Sequence, residues 1–153
     1  MGNIFNPDFR DFLQALNSND VEYLLVGGYA VILHGYSRVT ADMDIWVNRT
    51  SANYKQLVRA FIQFGMPVFD MSEEKFLAHN DWDVFRFGRK PVAIDIMTKM
   101  ADSNFEECVK HAKIFEDDDL VIKVVHYNDL IHAKKAAGRG KDLTDLENLP
   151  PEA

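Results

Sequence analysis

The chain is 153 residues long, 47% hydrophobic and 27% charged, which is enough for one domain with a real core. Its formal net charge of −7 argues against a broad phosphate-binding surface for duplex DNA, while leaving room for a local basic site. No apolar run approaches the ~20 residues of a membrane span, the start MGNIFNPDFRDF lacks the features of a secretion signal, and the lone Cys108 fits a reducing cytoplasm.

Asn6-Pro7 reads as a helix start, and Phe9, Phe12, Leu13 and Leu16 follow at helical spacing. Val21 to Val26 is a short apolar run ending at Gly27-Gly28, a buried strand entering a tight turn, with a short helix from Tyr29 to about Gly35. Met43 to Val47 alternates as a second strand. Thr50-Ser51 caps a helix carrying Leu57, Val58, Phe61 and Ile62, which stops near Gly65 and Pro67, and Ser72 caps a shorter one. Trp82 to Phe87 and Val92 to Met97 read as strands joined by a turn at Gly88 to Pro91. In this pair Trp82, Phe85 and Phe87 belong to the core rather than to a base-stacking platform. Asp102-Ser103 opens a further helix in which Cys108 is a buried structural thiol. Asp117-Asp118-Asp119 forms a solvated turn before a last strand at Leu120 to Val125. A helical tail follows over about 128–149, with Asp142 capping its final helix and Asp145 on the first turn. The alternation predicts a single α/β domain spanning 1–153, a mixed sheet flanked by helices.

The chemistry concentrates where Gly27-Gly28 is followed fourteen residues later by Asp42-Met43-Asp44. Glycine allows a positive φ and close approach of another group, and amides exposed at such a turn favour an anionic phosphate. Asp42 and Asp44, two apart on a strand, project to one side. Two carboxylates that close demand a cation, and Mg²⁺ is the usual hard partner of carboxylate and phosphate oxygens. Asp95, inside the apolar strand Val92 to Met97, is costly unless something satisfies it. Beside Asp44 it would complete a metal triad or act as general base. Lys134, Lys135, Arg139 and Lys141 gather positive charge in the tail, with Lys135 and Arg139 expected on one helix face. His34 and His126 stand at no metal-ligand spacing and read as structural.

Val26-Gly27-Gly28 and Arg38-Val39-Thr40-Ala41-Asp42-Met43-Asp44, with the later Asp95, resemble the signature of the nucleotidyltransferase fold shared with DNA polymerase β. The Arg-x-Thr-x-Asp-x-Asp spacing and the tail from Asp129 to Leu146 are most similar to the AbiEii-like toxins of type IV toxin–antitoxin systems, and the likeness runs from about Tyr23 to Leu149. The resemblance implies a minimal nucleotidyltransferase fold with a helical tail, and transfer of a nucleoside monophosphate from an NTP to a hydroxyl of tRNA, protein or a small molecule. It assigns Asp42, Asp44 and Asp95 to catalysis and to one or two Mg²⁺ ions. Gly27, Gly28, Arg38, Thr40, Lys134, Lys135 and Arg139 are assigned to the nucleotide and its phosphates. Gly28 stands where many such transferases have Ser, removing one hydroxyl donor. An antitoxin or a second copy is the partner expected to complete the site. One alternative is a nucleotide- or partner-binding module that kept the fold and lost the reaction. Another is an unrelated α/β interaction domain whose acidic residues are surface features, which carboxylates lying far apart would support.

Overall fold

The computed structural model of the chain describes residues 5–78, 83–89 and 92–152. Helix α1 (Pro7–Ser18) starts as its sequence dictates, with Pro7 in the first turn and the Asn6 side chain accepting from the Phe9 N–H at 2.8 Å. Strand β1 (Tyr23–Val26), fully buried, runs into α2 (Gly27–Leu33) without a side-chain cap. Next come β2 (Asp42–Val47) and α3 (Ser51–Phe64), the latter capped by Thr50 and ended by Gly65 in the left-handed conformation. Then follow α4 (Glu73–Leu77), β3 (Val84–Arg89), β4 (Val92–Met97), α5 (Phe105–Lys110), β5 (Lys113–Asp117), β6 (Leu120–Val124), α6 (Tyr127–Ala137) and α7 (Gly140–Asn148).

Six strands form one mixed sheet in the order β3-β4-β2-β1-β6-β5, with β2–β4 and β1–β6 parallel and the other pairs antiparallel. One face, carrying Met43, Ile45, Ile94, Ile96, Phe85 and Phe87, packs against α3. The Phe61 and Phe87 ring centroids lie 4.7 Å apart, and α1 joins through Phe12 and Phe61 at 5.6 Å. Strand alternation sends Asp42, Asp44 and Trp46 to the opposite face, where Trp46 meets Phe105 of α5 edge-on at 5.1 Å. Among the described residues no helix is long and apolar enough to cross a membrane.

The α/β mixed sheet stands as read from the sequence, with differences of detail, one being that α2 begins at Gly27 rather than at Tyr29, so the turn at the glycine pair is the first turn of that helix. Strand β5 is an addition: Lys113 to Asp117 is mostly exposed edge strand without an apolar signature, held by its pairing with β6. Asp117 is not solvated, because Arg10 donates to its side chain at 2.7 Å and to its carbonyl at 3.1 Å, tying α1 to the sheet edge. Asn104, not Asp102 or Ser103, caps α5. In the tail, α6 ends at Ala137 with Gly138 in the left-handed conformation, so Arg139 does not share a helical face with Lys135. Arg139 itself is the N-cap of α7, which puts Asp142 in the first turn and Asp145 in the second. The expectations for Trp82 and for Lys90-Pro91 fall outside the described residues, whereas Phe85, Phe87 and Cys108 are buried as expected.

Candidate functional site

The parallel register of β2 and β4 places Asp44 directly beside Asp95, and Asp42 two residues along the same face as Asp44. The unrelated-domain reading therefore lacks the distant carboxylates that would have supported it. Burial pushes the Asp44 carboxyl up to about 7, reinforced by the Asp95 charge and hydrogen bond and then by Asp42, while Lys141 pulls the other way. Asp42 Oδ1 is buried and has no hydrogen-bond partner among the described residues.

Gly27 and Gly28 are shaped to this cluster. Gly27 has φ +67, and a Cβ there would strike Asp44 Oδ2 and lie 2.9 Å from the Asp44 Cβ. A Cβ on Gly28 would strike the Thr40 hydroxyl and come within 3.2 Å of Arg38 Nη2. The glycines thus let the β1–α2 turn press against the residues of and before β2.

A polar cleft of about 230 Å³ is lined by Gly27, Gly28, Thr40, Asp42 and Asp44 and by the cations Arg38, Lys134, Arg139 and Lys141, of which Arg38 and Lys134 share Asp145. It adjoins an apolar cleft of about 290 Å³ formed by Val26, Met97, Met100, Ala101, Leu130, Ala133, Ala136 and Ala137, the two sharing Gly27, Asp44, Lys134 and Arg139. Ala101 has φ +50, a left-handed conformation that costs a non-glycine residue free energy and that recurs at functional sites.

The cations around the polar cleft are held from behind by α7. Lys134 Nζ lies 3.2 Å from Asp142 Oδ1 and 2.9 Å from Asp145 Oδ2. Arg38 meets Asp145 through Nε at 2.7 Å and Nη2 at 3.0 Å, and Arg139 Nε meets Asp142 at 2.7 Å. Burial raises the Asp142 carboxyl, but hydrogen bonds from Arg139 and Lys134 outweigh it and leave the group below the usual carboxylate range.

Of the residues expected at the site, Asp42, Asp44, Gly27, Gly28, Arg38, Thr40, Lys134 and Arg139 converge on the polar cleft, and Asp95 stands next to Asp44 one strand further out. Lys135 does not converge: it is exposed on α6 and lines neither cleft. Sequence reasoning missed Arg86. Its Nε and Nη2 donate to the two Asp95 oxygens at 2.8 and 2.9 Å, and Nη2 donates to Asp42 Oδ2 at 2.9 Å. Alternation carried the signal, because a polar residue between buried Phe85 and Phe87 must face the side on which Asp95 stands. The β3–β4 register sets Arg86 opposite Asp95. Asp145 was also missed as the residue joining Arg38 to Lys134.

Among the described residues no three carboxylate, imidazole or thiolate side chains form a ready-made metal cage. Mg²⁺ does not require one, since it is commonly held by one or two carboxylates together with substrate phosphates and water. The unpartnered Asp42 Oδ1 and the crowded Asp44 fit that kind of site.

No protein-family model and no curated protein matches the chain. Among solved structures it is similar to a candidate nucleotidyltransferase from Thermotoga maritima, with TM-score 0.65 and 15% identity over 95% of this chain and 94% of that one. It is also similar to an antigenic nucleotidyltransferase-like protein from Paracoccidioides brasiliensis, with TM-score 0.56 and 14% identity over 92% of this chain and 71% of the other. JHP933 from Helicobacter pylori matches with TM-score 0.51 and 17% identity over 91% of this chain, which spans 61% of that protein's length. At these identities the likeness is one of fold, and the fold is nucleotidyltransferase-like.

Proposed function

We propose that the chain is a magnesium-dependent nucleotidyltransferase that moves a nucleoside monophosphate from an NTP to a hydroxyl acceptor on tRNA, protein or a small molecule, as toxin-type enzymes of the AbiEii-like group do. The observation that carries the reading is the juxtaposition of Asp42, Asp44 and Asp95 on one sheet face against the Gly27-Gly28 turn. Asp42 and Asp44 would hold the magnesium, with Asp95 beside them, and the bound ion supplies charge neutralisation and polarisation of the phosphoryl oxygens.

The chain's own residues do the rest by positioning and electrostatics. The Gly27-Gly28 backbone admits the triphosphate close to the sheet, where Lys134, Arg139 and Lys141, which line the same cleft, meet its charge. The attacking hydroxyl oxygen forms a bond to the α-phosphorus while the bond to the bridging oxygen breaks and pyrophosphate leaves. Asp95 accepts the hydroxyl proton on one of its carboxylate oxygens. The apolar cleft is placed to take the nucleoside.

One observation favours a second reading, a nucleotide- or partner-binding module without catalysis: Arg86 already satisfies Asp95 and one oxygen of Asp42. Calorimetric titration of each NTP with Mg²⁺ into the wild type and an Asp42→Ala/Asp44→Ala double variant tests the proposal. Metal-dependent binding that disappears in the double variant is expected. A folded wild-type chain that binds no NTP under these conditions overturns the catalytic reading.

A further inference from the structure

We propose that Arg86 is a resident counter-cation of the carboxylate cluster, which a divalent ion must displace before it can engage Asp95 and the second oxygen, Oδ2, of Asp42. The inference rests on the metal-site reading above and adds a control element to it. The geometry is specific: the guanidinium makes a two-pronged contact with Asp95 at 2.8 and 2.9 Å and reaches across to Asp42 Oδ2 at 2.9 Å. A single planar cation thereby holds two of the three acidic side chains, as the fork geometry of arginine allows.

Placement makes the contact releasable. Strand β3 is the edge strand of the sheet, so among the described residues no further strand covers Arg86 from outside. The Arg86 side chain is 55% exposed, against 27% for Asp42 and 12% for Asp95, so the guanidinium can swing into water at little desolvation cost while the carboxylates stay in place. Arg86 also leaves the cluster under-compensated. It brings one positive charge to three carboxylates, and Asp42 Oδ1 keeps no partner among the described residues. A divalent ion alone must therefore break the Arg86 contact for a modest gain. A divalent ion arriving with a triphosphate brings further oxygen ligands, and its phosphates meet Lys134, Arg139 and Lys141 across the cleft. Arg86 thus makes metal binding depend on nucleotide.

The experiment is a Mn²⁺ titration without nucleotide, followed by electron paramagnetic resonance of the free ion, on wild type, Arg86→Gln, Arg86→Lys and Asp42→Ala/Asp44→Ala. A parallel Mg²⁺–NTP titration runs on each. Removing a competing contact of this kind is expected to tighten Mn²⁺ binding in Arg86→Gln by roughly 5–150-fold. Arg86→Lys, which keeps the charge and loses the fork, should lie between. Circular dichroism confirms that each variant folds. If wild type binds Mg²⁺–NTP but Arg86→Gln binds Mn²⁺ no tighter than wild type, Arg86 is a ligand-orienting residue and the proposal falls while the metal site stands. If no protein binds a divalent ion with or without NTP, the metal-site reading falls first and takes the proposal with it.

Discussion

Replacing Gly27 by Ala tests the close approach of the β1–α2 turn to Asp44. Two costs combine. At φ +67 an alanine occupies the left-handed region, worth roughly 1–2 kcal/mol. The added methyl also has no space, because it would strike Asp44 Oδ2 and sit 2.9 Å from both Cβ and Cγ of Asp44, so turn or strand must shift. Overpacking of that kind costs about 1–3 kcal/mol. Together they predict a loss of about 2–5 kcal/mol, and for a chain of this size the unfolding midpoint falls by roughly 10 °C. Urea unfolding of Gly27→Ala, Asp44→Gly and the double variant separates the two costs. Asp44→Gly removes the three atoms nearest the methyl, so the double variant should regain about 1–3 kcal/mol relative to additivity and keep mainly the backbone cost. A Gly27→Ala protein as stable as wild type, or strictly additive losses in the double variant, refutes the close-approach argument.

Asp44 dictates a pH dependence of stability. Its carboxyl is raised in the folded state, so between about pH 4 and 7 the folded chain holds a proton that the unfolded chain has released. The resulting stabilisation is full below the unfolded value and is lost as pH rises towards about 7, with a slope of at most ~1.4 kcal/mol per pH unit. Asp44→Asn should therefore be more stable than wild type at pH 8 and lack this decline, and parallel urea midpoints for both proteins from pH 5 to 8 would refute the point. Asp145→Ala takes the carboxylate from Arg38 and leaves Lys134 with Asp142 alone, and removing one partner of a buried ion-pair network costs about 3–5 kcal/mol, read as the drop in urea unfolding free energy. Lys135→Ala on the exposed side of α6 should change stability by less than ~0.5 kcal/mol and leave NTP binding intact, so a Lys135→Ala chain that loses NTP affinity would return this lysine to the site. Burial pushes the Cys108 thiol up to about 11, so the folded chain should react with iodoacetamide at pH 8 at least roughly tenfold more slowly than free cysteine. Equal rates would show that the thiol is open to solvent.

The parts of the molecule that local rules dictate were legible. Asn6, Thr50 and Ser72 announced their helices because a side-chain oxygen beside a helical apolar pattern has few other uses. Asp42, Asp44 and Asp95 were legible as a cluster because each breaks an apolar strand pattern that otherwise needs no charge. Non-local pairing hid the rest. Strand β5 exists because β6 offers it an edge, and nothing in Lys113 to Asp117 shows this locally. Lys135 was over-read because charge and spacing do not reveal that Gly138 ends α6 and sends Arg139 towards the cleft while Lys135 stays outside. Alternation put Arg86 on the face opposite Phe85 and Phe87, but its pairing with Asp95 was visible only after the β3–β4 register was fixed, since shifting the pairing changes which residue faces Asp95.

The polar groups of the domain fall into two sets that obey different rules. The α6–α7 set is closed: buried Asp142 and Asp145 each take contacts from two cations, and the network holds Arg38, Lys134 and Arg139 at the cleft. Three cations against two carboxylates leave that wall positive, and Lys141 adds to it. The β2–β4 set is open: one arginine pairs with two of the three carboxylates, one buried oxygen has no partner among the described residues, and Asp44 is driven towards protonation. Optimising stability alone would replace one of these acids with an amide or an apolar residue. A cleft with one wall short of positive charge and the other in excess suits a ligand that is itself divided in that way. A divalent cation chelated by a polyphosphate is such a ligand, with its metal for the carboxylate wall and its phosphate oxygens for the basic one. Neither a bare cation nor a bare phosphate satisfies both walls, which is why binding to this site should require the two together.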